Sequence, residues 1–229
     1  MELNKILKKH KTWLETNAGE KANLYKENLC GAQLEEVDLQ KADLQKVCLQ
    51  GAKLFKAILR EADLRDANLR EANIYGADLE HANMQRARLV DADIGYANLR
   101  YALLQNAVLT GADLRWADLR GANLQNANLV GANLEGANLK GANLEGARLI
   151  GANLQASCLP LCSGGLGWEI DKEIWAQLAY HLASMKCIKN IGADEDIIYY
   201  QIQKVKKSLI ELGNKFNKTV ETLKDCEYY

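Results

Sequence analysis

From Leu24 to Leu159 every fifth residue is Leu, Ile or Met, giving 28 positions in unbroken register. Twenty-five of them are Leu, and Ile74, Met84 and Ile94 are the others. Two residues earlier, 24 of the 28 positions are Ala, with Glu27, Val37, Val47 and Ser157 as exceptions. One residue earlier, 19 of the 28 are Asn or Asp. The unit reads Ala-(Asn/Asp)-Leu-x-x, as at Ala122-Asn123-Leu124-Gln125-Asn126. A helix would smear such a pattern around its circumference, and a strand would alternate it between faces. The chain must therefore turn within each pentad, and neighbouring units must share a core by stacking. Leu is the large inward residue and Ala the small one, with three residues left for water. Gly at ten of the positions two after the Leu, such as Gly121 and Gly131, suits a corner with φ > 0.

The flanks change period. Leu3, Ile6, Leu7, His10, Trp13 and Leu14 are spaced as on one helical face over residues 2–16. An open solenoid end needs a cover, so this helix is expected to cap the first coil, with Trp13 as its plug. Its lysines (Lys5, Lys8, Lys9, Lys11) leave surface or membrane contact as a lesser reading. After Pro160, a Gly-rich turn around Gly164–Gly167 lacks the Lys-Ser/Thr of a phosphate loop. A helix follows over roughly 171–189, with Asp171 as N-cap. A longer one runs over about 193–225, with near-heptad apolar spacing from Ile198 to Leu223. The expected domains are residues 1–19 (capping helix), 20–159 (repeat array) and 160–229 (helical hairpin or cap).

Composition narrows the function. The 229 residues carry 29 Lys plus Arg and 30 Asp plus Glu, a net charge of −1, which argues against binding nucleic acid through bulk positive charge. No apolar run is long enough to span a bilayer, and the first residues lack a secretory signal pattern. The expected location is cytoplasmic, with the six cysteines as reduced thiols.

The uninterrupted Ala-(Asn/Asp)-Leu-x-x array resembles the pentapeptide-repeat family over residues 20–159. The resemblance implies a mainly β fold: a right-handed quadrilateral parallel β-helix with four pentads per coil. Twenty-eight pentads then make seven coils. Positions 20 apart become ladder neighbours, which sorts the surface into columns. Phe55, Tyr75, Tyr96 and Trp116 fall on consecutive rungs as an aromatic strip, with Tyr101 on the next face. These five residues are the candidate partner-binding site, because exposed rings concentrate there in a chain with only 7% aromatics. Val90, Thr110, Val130 and Ile150 form a second column, and Gln45, Arg65, Gln85, Gln105 and Gln125 a third. Both read as ladder stabilisers. Arg60, Glu80, Arg100, Arg120 and Lys140 form a fourth, neutralised by Asp78 and Asp118.

No catalytic, cofactor or metal site is expected. His10, His81 and His181 form no nucleophile–base–orienter set. Cys158, Cys162, His181 and Cys187 match no common zinc spacing. Cys30 and Cys48 fall on neighbouring rungs, but their two-residue offset argues against a disulfide. The expected function is a non-enzymatic protein-interaction or scaffold module with an unidentified protein partner, no direct nucleic-acid contact and no membrane. A monomer is the first reading, and a homodimer through residues 198–223 the alternative. The resemblance also implies a second function: topoisomerase (gyrase) binding by DNA mimicry, giving quinolone protection. The repeat array carries 16 basic and 18 acidic residues, so its mimicry of DNA charge is weak.

Overall fold

The structure is a computed structural model of the chain, and it describes residues 3–155 and 157. The chain divides into two compact units, Met1–Glu169 and Ile170–Tyr229. The helices expected beyond Pro160, and the Cys158–Cys187 cluster, lie outside the described residues.

The pentads form a coil of 20 residues. Twenty-three parallel bridges, from Asn23–Asp43 to Asn133–Asn153, each join one residue to the residue 20 later. Each side of the square contributes one bridged residue per rung, so no side extends into a longer strand. Two hydrogen bonds hold each bridge: at the first, Leu24 N donates to Asp43 O (2.7 Å) and Asp43 N to Ala22 O (2.9 Å). The inward residues behave as the period demands. From Leu24 to Leu154 each large residue is at most 5% exposed, and the alanines from Ala42 to Ala152 are at most 3% exposed. Leu104 and Leu124 are successive rungs of this column, and Leu104 N donates to Asn123 O at 2.7 Å.

Every corner is built alike. The residue two after the Leu has positive φ in each pentad from Lys26 to Gly151, while the residue before it does not. The following N–H donates back to the Leu carbonyl, as Ala32 N to Leu29 O at 3.0 Å. That is the pattern of a type II turn. The Asn/Asp preference has its cause here. All 19 such side chains accept, through Oδ1, the backbone N–H two residues later. The corner N–H would otherwise lack a partner, and a short acceptor one residue before the Leu reaches it.

One helix, α1 (Leu3–Thr16), precedes the array. It ends where Asn17 takes positive φ (57°) and donates its N–H to Trp13 O at 2.9 Å. The expected plug was Trp13, but the buried residue is His10, at 0% exposure. Trp13 is half-buried and stacks on His10 at 5.6 Å. Hydrogen bonding explains the exchange. Elsewhere in the array the Ala N–H donates to the Leu of the preceding pentad, but Ala22 has no preceding pentad. His10 Nδ1 accepts its N–H instead, at 3.0 Å. An indole offers no such acceptor.

Candidate functional site

The aromatic strip occupies one corner of the coil. Phe55 and Tyr75 stand directly after the Leu, and Tyr96 and Trp116 take the next, positive-φ position, so the strip crosses between two adjacent columns. Phe55 and Tyr75 stack at 6.0 Å, Tyr75 and Tyr96 meet tilted at 5.4 Å, and Tyr96 and Trp116 stack at 6.4 Å. Glycines make the crossing fit. A Cβ on Gly95 would come within 3.1 Å of the Tyr75 ring, and one on Gly136 would collide with Trp116. The rings shield one another but not fully: Tyr96 remains 57% exposed and Trp116 50%. Tyr101 stands on the neighbouring corner, stacked with His81 at 5.1 Å and lying over Gly121.

Several charges around the strip have partners within the protein. Lys56 Nζ lies over the Phe55 ring at 5.0 Å. Beside Trp116, Arg115 grips Asp113 with Nε at 2.9 Å and Nη2 at 2.6 Å. Partial burial pushes the Asp113 carboxyl up, but hydrogen bonds from Arg115 and its charge outweigh this and hold it below the usual range. Arg120 likewise holds Asp118 low by a side-chain hydrogen bond. In the Arg column, Glu80 bridges Arg60 at 2.6 Å and Arg100 at 3.9 Å, and Arg60 also reaches Asp78 at 3.5 Å. In the Gln column, Gln85 donates to Gln105 at 3.3 Å and Gln125 to Glu145 at 3.2 Å. The strip is thus an apolar part of a surface on which ion pairs join neighbouring rungs and neighbouring residues.

Among the described residues no group of three or more His, Cys, Asp or Glu side chains could hold a metal ion. No helix there is long and apolar enough to cross a membrane. An open recess beside α1 is lined by Lys5, Ile6, Lys9, Glu20, Lys21 and Asn23, and is spanned by the Lys9–Glu20 ion pair at 3.0 Å.

One expectation is overturned: Cys30 and Cys48 are joined in a disulfide, their Cα atoms 5.5 Å apart. They are not reduced thiols in this structure. The offset that seemed to forbid bonding is what permits it. Cys30, just after Leu29, leans toward the residue just before Leu49 one coil on, 18 positions later. The Arg60–Asp78 pair has the same separation.

A family model described as pentapeptide repeats matches the chain in eight copies, over residues 20–51, 48–86, 87–126 and 127–163. Among solved structures, the chain is similar to a trypsin-treated form of QnrB1, a plasmid-mediated fluoroquinolone resistance protein. The two are 19% identical, the match covers 71% of this chain and 82% of that one, and the TM-score is 0.60. It is also similar to HetL, a pentapeptide-repeat protein involved in heterocyst differentiation regulation in the cyanobacterium Nostoc. Here identity is 36%, coverage 64% of this chain and 82% of that one, and the TM-score 0.27. No curated protein matches the chain. The likeness to QnrB1 is one of fold, a quadrilateral β-helix. With the repeat model spanning more than half of its residues, the chain belongs to the pentapeptide-repeat family.

Proposed function

We propose that the protein is a non-enzymatic, cytoplasmic interaction module that binds a protein partner through the strip of Phe55, Tyr75, Tyr96 and Trp116, with Tyr101 at its margin. The observation that carries this reading is the strip of four rings in mutual contact across successive rungs, three of them exposed. Side chains fixed before binding lose little entropy on contact, and aromatic side chains dominate the energy of protein interfaces. With Arg115 held by Asp113 and Lys56 lying over Phe55, the strip's main resource is apolar contact. The test is capture from cell lysate with wild-type protein and with the Tyr75→Ala/Trp116→Ala double variant. A partner retained by the first and lost by the second supports the reading; identical partner sets overturn it.

The fold likeness to QnrB1 supports a second reading, gyrase binding with quinolone protection. The near-neutral repeat surface counts against it. A supercoiling assay with ciprofloxacin separates the two: rescue at micromolar protein favours the second, and no rescue removes it.

A further inference from the structure

The first coil lacks the symmetry of the rest. Three of the four non-Ala inward positions of the array, Glu27, Val37 and Val47, fall in the first two coils. Glu27, Ala32 and Val37 are only half-buried, whereas Ala22 is 1% exposed. Thus α1 seals the corner at Ala22, where His10 accepts its N–H, and leaves the next corners uncovered. The Cys30–Cys48 disulfide stands at the second of those uncovered corners, between Leu29 and Ala32, and ties it to the second coil. Cys30 is exposed and Cys48 half-buried. Asn68 Nδ2 points at Cys48 Sγ from the third coil, at 3.9 Å.

We infer that Cys30–Cys48 is a redox-responsive staple: bonded, it holds the open side of the first coil, and reduced by a dithiol, it lets that coil fray while the later coils stay closed. Access sets the direction of exchange. A thiolate of the dithiol attacks the exposed Cys30 Sγ. The protein S–S bond breaks, and its electron pair leaves on Cys48 Sγ, where the Asn68 amide N–H steadies the charge. The second thiolate of the reagent then attacks its own sulfur in the mixed disulfide and releases Cys30 as a thiolate. The protein gains two electrons, the two cysteines take up two protons, and the reagent ends as its own disulfide. Without the bond, the corner rests on backbone bonds such as Leu29 N to Cys48 O (2.7 Å) and Gly31 N to Gln50 O (2.8 Å). Terminal repeats open first in a solenoid, since each contacts a neighbour on one side only.

The test is amide hydrogen exchange on the full chain, with and without dithiothreitol, beside the Cys30→Ser/Cys48→Ser double variant. The expected result is faster exchange at Leu29 and Gly31 after reduction, on the order of tenfold or more, with Leu104 to Leu124 unchanged. The double variant exchanges like the reduced protein and ignores the reagent. Equal rates in both redox states overturn the inference, as does equal acceleration along the whole array. A response to dithiothreitol that persists in the double variant also overturns it. Air-equilibrated protein in which Cys30 and Cys48 both alkylate without prior reduction overturns it too. None of these outcomes depends on the strip binding a partner.

Discussion

The early and late coils share one backbone but reach it by different chemistry. Of the 17 corner residues from Lys26 to Asn106, three are glycine; of the nine from Gly111 to Gly151, seven are. A side chain in the left-handed region costs roughly 1–2 kcal/mol, so the late coils adopt the corner with little strain. The early coils place charged and aromatic residues there and offset the strain with contacts between rungs. Asp66 pairs with Arg86 at 2.7 Å, Lys41 with Glu61 at 3.7 Å, and the rings of His81 and Tyr101 stack. The disulfide and the His10 cap belong to the same end. The late coils are mostly architecture, and the early and middle coils carry the side chains that something else can recognise.

This contrast can be broken from either end. The largest effect is expected at the cap. His10→Ala leaves the Ala22 N–H without its acceptor and opens a cavity, at a cost of about 3 kcal/mol, read as unfolding of α1 and the first coil. His10→Gln keeps an acceptor and costs less. The cap also responds to pH. Burial lowers the His10 pKa, against the pull of Asp38 and the Gln40 carbonyl and with help from Lys21. A protonated Nδ1 cannot accept the Ala22 N–H. A depressed folded pKa means that this contribution is complete above the unfolded value and is lost as pH falls through the folded one. The helix signal in circular dichroism should therefore weaken below about pH 6.5, and His10→Gln should flatten that dependence. The Asp63, Asp113 and Asp118 carboxylates are held low by their arginines, so their contributions are lost only at more acid pH.

Next come the late corners. Gly121→Ala adds a Cβ that meets the Tyr101 ring at 2.6 Å in a residue with φ of 68°. Chemical denaturation should report a loss of about 2 kcal/mol or more. Gly131→Ala has the same φ region but open space, so about 1 kcal/mol is expected. Equal losses would mean that ring seating contributes nothing. The smallest effect lies in an early corner. Glu71 is exposed with φ of 56°, and Glu71→Gly should raise stability by about 0.5 kcal/mol, strain relief less the added unfolded-state entropy. Arg86→Gly should gain nothing, because it also removes the pair with Asp66.

The array was legible because a five-residue period over so many units admits one kind of packing. The aromatic strip followed from counting by twenties once the coil length was set. Other features were hidden for definite reasons. A left-handed corner at Glu71 or Trp116 leaves no mark in residue type, since tertiary packing imposes it. His10 reads as one more position on an amphipathic face, because the need for an acceptor arises only at the open end of the coil. The disulfide depends on which way side chains lean between rungs, and a column count by twenties omits that lean.

The coil itself is tested most directly by scalar coupling across hydrogen bonds in an isotope-labelled sample. The account predicts a correlation between the Leu104 amide nitrogen and the Asn123 carbonyl carbon, and another between the Asn123 nitrogen and the Ala102 carbon. Couplings to carbonyls four residues earlier, or to a coil neighbour at a different separation, would contradict it.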